Sequence, residues 1–442
     1  MPLGSVIAFK GIEQSMVVVH GSQGCSTYMR LAMVEHYNEP VDIASSSLNE
    51  KQTIYGGEEN LRKGLDNVIR VYHPKVIGVV TTCMTETMGE DIGRMIDTYL
   101  TDRNLHDVDI IPVSTPSYSG TSTEGYWTAV RDVIMYYAGP VSPNEGINII
   151  LPQVSPADIR EIKRILDLMR IQYTLIPDIS MTLDRPYGIS YEKIPPGGTS
   201  REGIARMSGG RATIQFGYCC PDNLSPGALL EEKYGVPLHN LPLPVGLKNM
   251  DMFINTLISI AIKPVPESIL LERGWLCDAM ADAHKHMAEI KPVIFGEPEL
   301  VYAVSSLCIE NGSIPPIIAT GTGSPQLRRH LETITRELDF APLVADHVDF
   351  ALIAKESDHL GVNLAIGHAG GKVLTERLNI PVVRTGFPIH DRIGAQRIRN
   401  LGYTGTVTLL EQMVNTHLEH KYQHYRQQIK SEYFDNGGII NA

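Results

Sequence analysis

Along this chain, short uninterrupted apolar runs alternate with longer stretches in which apolar residues return every three or four positions. The runs lie in SMVVVHGSQG, KVIGVVTTC, VDIIPVSTPS, INIILPQVSP, YTLIPDIS, ATIQFGYCC, KPVIFGEPE, PPIIATGTGS, APLVADHVD, VNLAIGHAGG and VVRTGFPIHD. Four to six consecutive apolar, largely β-branched residues suit parallel strands buried on both faces. Between them, EENLRKGLDNVIRVY, SPADIREIKRILDLM and LLERGWLCDAMADAHKHMAEI carry Leu, Ile and Met at helical spacing. Ser155 reads as an N-cap, with Pro156 at the first helical position. Strand followed by helix over the whole length predicts repeated βαβ units, and so an α/β fold of doubly wound parallel sheets.

Eleven such runs exceed one comfortable open sheet, which predicts three α/β domains. The expected boundaries are 1–142, 143–289 and 290–442, with the turn-rich GPVSPNEG near 140–146 as the first linker. Residues 409–434, LLEQMVNTHLEHKYQHYRQQIKSEYF, read as one long polar helix.

Composition narrows the function classes. A chain of 442 residues is long enough for two or three hydrophobic cores. Its formal charge of −12 argues against general nucleic-acid binding and against adhesion to anionic membranes. No apolar run approaches the roughly 20 residues that cross a bilayer. The segment MPLGSVIAFKGIEQ lacks the layout of a secretory signal. Six cysteines are too sparse for a disulfide scaffold, so a cytoplasmic location is expected, with free thiols acting as metal ligands or buried apolar groups.

Two of those cysteines end apolar runs, Cys25 in VVVHGSQGCSTYMR and Cys83 in VIGVVTTCMTET. In doubly wound folds, ligands collect outside the carboxyl ends of the strands. Backbone amides at a helix start favour the thiolate, the form that binds metal. Ser117, in VSTPSYSG, follows a third strand of the same domain and offers an occasional oxygen ligand. Iron–sulfur groups usually need four protein ligands, so two thiols and a hydroxyl are incomplete. Either another chain supplies the rest, or each thiol is simply a small buried apolar group. Core packing is the favoured reading for Cys277 and Cys308 in helical patterns, and vicinal Cys219 and Cys220 cannot easily chelate one metal.

His20 reads as structural, and Glu86, Glu90 and Asp91 as stabilising a helix start. GHAGGKV at 367–373 lacks phosphate-loop spacing, so the chain is expected to bind no nucleotide and hydrolyse no ATP.

These residues carry a resemblance. PLGSVIAFKGI, VVVHGSQGCSTYMR, YGGEENL, GVVTTCMTETMGEDI and VSTPSYSG resemble the N-terminal domain of the β-like subunits of the nitrogenase component 1 superfamily. PPGGTSREGIARM, PLPVGLKNMD, IFGEPELVYAV, ATGTGSP and VVRTGFPIHDRIG extend it, in order, over nearly the whole chain. The resemblance implies three Rossmann-like domains and an oxidoreductase subunit that is inactive alone. It implies an α-like partner subunit in an α2β2 heterotetramer, served by a dimeric ATP-dependent iron protein. Residues matching Cys25 and Cys83 would hold an iron–sulfur cluster shared with the α-like partner, with Ser117 as a redox-dependent ligand. That cluster would relay electrons to a metallocluster in the partner.

In the family a further cluster cysteine immediately precedes the PLG stretch, where this chain has Met1. Both a P-cluster-like eight-iron group and a 4Fe–4S group therefore remain open. The C-terminal half also resembles the scaffold subunits that assemble iron–molybdenum-type cofactor. The implied function is a nitrogenase-like reductase, with the methylthio-alkane reductases as first guess and the assembly scaffold as alternative.

Overall fold

In the computed structural model, which describes residues 1–188, 191–336, 338 and 340–431, thirteen strands form three parallel sheets. The first holds β1 (Ser15–His20), β2 (Ala44–Ser45), β3 (Val76–Thr81) and β4 (Asp109–Val113), in the order β2–β1–β3–β4. The second holds β5 (Ile147–Ile150), β6 (Tyr173–Ile176), β7 (Ala212–Gln215) and β8 (Leu238–Asn240), in the order β6–β5–β7–β8. The third holds β9 (Pro292–Phe295), β10 (Ile317–Ala319), β11 (Leu343–Ala345), β12 (Leu364–Gly367) and β13 (Val382–Arg384), in the order β11–β10–β9–β12–β13.

Every apolar run identified in the sequence lies on one of these strands. The two strands without such a run are β2 and β8, two and three residues long. Segments that short carry no periodicity, and pairing with β1 and β7 alone defines them. The helix Glu58–Tyr72 coincides with its sequence pattern. In the helix Pro156–Leu168, Ser155 accepts the Asp158 amide at 3.0 Å, as an N-cap should. The long terminal helix runs Gly402–Lys430, and positions 432–434 of the expected helix lie outside the described residues.

One large apolar core runs through all three sheets, with Trp127, Phe216 and Phe253 among its fully buried side chains. Polar ties join the lobes where the strand ends meet. The buried Asp158 carboxyl accepts the Asn400 and Leu401 amides at 2.7 and 2.9 Å. His36 Nδ1 accepts the Ile389 amide at 2.9 Å. Burial holds His36 down to about 4, so it is the neutral ring that this bond requires. No helix among the described residues is long and apolar enough to cross a membrane.

Candidate metal centre at the edge of the first sheet

The order of the first sheet creates a crevice. After β1 the chain crosses to β2 on one side, and after β3 it crosses to β4 on the other. The two loops part at the carboxyl ends of neighbouring strands, which is where doubly wound folds bind ligands. Cys25 and Cys83 stand on those two loops. Ser117 stands on the turn after β4, the next strand along, so all three lie on one edge of one sheet.

Local chemistry explains each position. Gly21 and Ser22 turn the chain from β1 into the helix Gln23–Tyr37, whose third residue is Cys25. The Cys25 Sγ lies 3.5 Å from Ser22 Oγ. After β3, Thr82 caps the short helix Cys83–Met88, and its amide donates to Thr85 Oγ1 at 3.1 Å. Cys83 is therefore the first helical residue, and its side chain is exposed. Cys25 is half-buried, and Ser117 is exposed.

The three turns are tied together. Thr82 and Thr85 hydroxyls both donate to the His20 carbonyl, at 3.1 and 3.2 Å, fastening the Cys83 turn to the end of β1. Gly21 allows this approach, because a Cβ there would overlap the Thr82 side chain. Thr115 Oγ1 donates to the Thr81 carbonyl at 2.8 Å, and the Thr115 amide donates to Thr81 Oγ1 at 2.8 Å. Glu86 accepts from Thr81 Oγ1 at 2.6 Å and Ser114 Oγ at 2.5 Å, joining the Cys83 helix to the Ser117 turn.

The acids Glu86, Glu90 and Asp91 thus divide their roles. Asp91 caps the helix Ile92–Arg103 as expected, whereas Glu86 bridges two turns. Glu90 reaches a more distant helix start, at Gly57. Thr82 and Thr85 were not singled out from sequence. Their three-residue spacing at a strand end is the capping signal that marks them.

The donor set suits a soft-metal group. Both cysteines are free thiols, and the Cα of Gly24 faces open space, its nearest neighbour being Ser22 Oγ at 3.9 Å from a built Cβ. Among the described residues, no three His, Cys, Asp or Glu side chains converge to hold a metal ion. The surroundings of this edge expose Tyr28 (75 %), Leu31 (52 %) and Tyr118 (67 %), an apolar rim of the kind found where another protein docks.

The other cysteines lie elsewhere. Cys219 and Cys220 follow β7, are only 3 % and 4 % exposed, and are held well above the usual thiol range by burial and by Glu299. The Cys219 amide donates to Glu299 Oε1 at 2.9 Å, and burial pushes that carboxyl up to about 8. Cys308 is fully buried and pushed up to about 12. Cys277 lies on the helix Glu267–Met287.

Where the three lobes meet, His36, Tyr37, Gln153, Asp158, Phe387 and Asn400 leave a cavity of about 30 Å³. That volume admits water, but small-molecule sites are roughly tenfold larger.

Comparison with known proteins places the chain's family and agrees with its fold. The family profile described as "Nitrogenase component 1 type Oxidoreductase" matches residues 1–418. The nitrogenase molybdenum-iron protein beta chain of Methanococcus maripaludis is 34 % identical, over 96 % of this chain and 94 % of that protein. The corresponding chain of Clostridium pasteurianum is 34 % identical, over 95 % and 92 %. A solved structure described as "Nitrogenase Cp1 at pH 6.5" superposes with a TM-score of 0.92 at 33 % identity, covering 100 % of this chain and 95 % of the other.

Proposed function

Because this chain belongs to the nitrogenase component 1 type oxidoreductases, we propose that it is the β-like subunit of a nitrogenase-like reductase in which Cys25 and Cys83 hold one half of a shared iron–sulfur group. The observation that carries this reading is the placement of two free thiols on the diverging loops of β1 and β3, where Tyr28, Leu31 and Tyr118 are exposed. An α-like subunit completes the ligand set across that rim, giving an α2β2 assembly in the cytoplasm, and a dimeric ATP-dependent iron protein delivers electrons. When bound, the iron–sulfur group supplies low-potential electron transfer.

This chain's own residues do three things toward it. Cys25 and Cys83 offer sulfur ligands from the first turns of two helices. Ser117 offers a hydroxyl from the adjacent turn. Tyr28, Leu31 and Tyr118 exclude water once the partner covers them.

The first-guess activity is methylthio-alkane reduction. Retention of both thiols in an open setting favours the reductase over an assembly scaffold. The test is anaerobic purification with the α-like partner, followed by iron analysis and an ATP-dependent reduction assay with the iron protein. Iron at the subunit seam with turnover of a methylthio-alkane supports the reading. A complex that carries no iron, or that hands its cluster to an acceptor protein without turnover, overturns it.

A further inference from the structure

Beneath the cysteine turns lies a buried pair that the ligand set does not use. His20 has a fully buried side chain, and its Nε2 is 2.7 Å from Glu90 Oε2. Its Nδ1 lies 2.9 Å from Ser46 Oγ, and that hydroxyl in turn accepts the Gly21 amide at 3.0 Å. The other Glu90 oxygen accepts the Gly57 amide, at the start of the helix Glu58–Tyr72. A Cβ at Gly57 would come within 3.0 Å of Glu90, the His20 ring and Leu48, so a side chain there would make this packing shift.

One arrangement of protons satisfies every group. The Gly21 N–H donates to Ser46, the Ser46 hydroxyl donates to His20 Nδ1, and the His20 Nε2–H donates to Glu90. Burial holds the imidazole below its usual range, in agreement with a neutral ring carrying a single proton. Glu90 then accepts two N–H donors, one of them at a helix start.

The connectivity matters more than the bonds one by one. The helix Cys83–Met88 is fastened at both ends to the same residue of β1. At its start, Thr82 and Thr85 donate to the His20 carbonyl. Just past its end, Glu90 accepts from the His20 imidazole. His20 is also the last residue of β1, five positions before Cys25. Glu90 further forms the inner wall of a solvent-open cavity of about 590 Å³ bounded by Lys51, Gln52, Tyr55, Glu58, Asp91 and Arg94.

We propose that His20 and Glu90 are a positioning pair that fixes Cys83 relative to Cys25 and places one negative charge behind the shared iron–sulfur group, so that both the geometry and the reduction potential of that group depend on it. This rests on the functional reading above. Groups behind the metal ligands commonly orient them and tune the metal in this way.

The test uses the assembled complex and three variants, Glu90→Ala, Glu90→Gln and His20→Gln. The readouts are iron content, the EPR spectrum of the reduced complex, its midpoint potential and its melting temperature. Glu90→Ala is expected to keep the fold and change the EPR line shape. Glu90→Gln is expected to restore the spectrum but raise the potential: its amide oxygen keeps the Gly57 bond, its NH2 donates to His20 Nε2 once the imidazole proton sits on Nδ1 facing Ser46, whose hydroxyl turns to the Gly21 carbonyl, and the charge is lost. A tenfold change in the one-electron equilibrium corresponds to about 59 mV. His20→Gln, with the charge kept and the ring lost, is expected to alter the spectrum. If Glu90→Ala does not assemble, the Gln variants decide the matter. Parent-like spectra and potentials in the variants that assemble would overturn the proposal, even with lowered melting temperatures, since a purely structural role gives that result. A parent complex without iron would instead sink the functional reading, and this inference with it.

Discussion

The first and second sheets are built to one plan. Each has four parallel strands, each sends successive crossovers to opposite sides from its two central strands, and each carries cysteine just beyond a central strand. At the first sheet the thiols stand at helix starts under an open, apolar-rimmed edge. At the second, Cys219 and Cys220 are sealed beneath the third lobe, with Glu299 pressed against them. Topology offers the same location twice, and burial decides which one can do chemistry. A buried thiol stays protonated, because a thiolate in an apolar setting loses its hydration without compensation.

The comparison breaks most visibly in iron content. Cys83→Ala is expected to lower the iron bound per complex by at least about tenfold, as loss of a direct ligand should exceed the effect of losing its supports. Cys219→Ala and Cys220→Ala are expected to leave iron unchanged. Equal losses in both places would erase the distinction.

Thiol reactivity sharpens it further. In metal-free chain, iodoacetamide should modify Cys83 at least about tenfold faster than Cys219, Cys220 or Cys308, since each unit of raised pKa removes about tenfold of the thiolate. Peptide mass spectrometry over a time course reads this directly, and uniform labelling of all four would contradict the burial contrast.

A smaller effect is expected from Gly21→Ala, which forces a methyl group into Thr82 where the two cysteine turns meet. Overpacking of this kind costs about 1–3 kcal/mol, measurable by denaturant unfolding, and the variant should also load iron poorly. Full stability with full iron would show that the turns do not depend on this approach.

The last prediction concerns the seal over the second sheet. Glu299 is pushed up to about 8 in the folded chain, whereas an exposed carboxyl titrates near about 4.3. The folded chain therefore keeps a proton that the unfolded chain has lost, and stability declines as pH rises through that window. The slope is at most about 1.4 kcal/mol per pH unit. Glu299→Gln stays neutral, so its melting temperature should fall less between pH 6 and 8 than that of the parent.

Much of this contrast is legible from residues alone. The runs ending in Cys25 and Cys83 announce strands followed by helix starts, and Ser155 with Pro156 announces a cap that the structure contains. Other features are not legible. Glu90 reads as support for a nearby helix, yet its partners, Gly57 and His20, lie 33 and 70 positions away. The burial of His368, just past β12, is another. Its ring is held down to about 4 by burial and by Arg384, and accepts the Gly370 amide at 3.2 Å. The strands β2 and β8 escaped notice because two or three residues cannot show a period.

Sequence by itself determined the α/β class, most of the strands, the family and the identity of the candidate thiols, because these depend on local patterning and on residue type. Tertiary structure alone decided strand order, and with it which loops diverge and which thiols face solvent. It also decided that one buried histidine gathers both cysteine turns. Those properties depend on which distant segments lie side by side, and no local pattern encodes that.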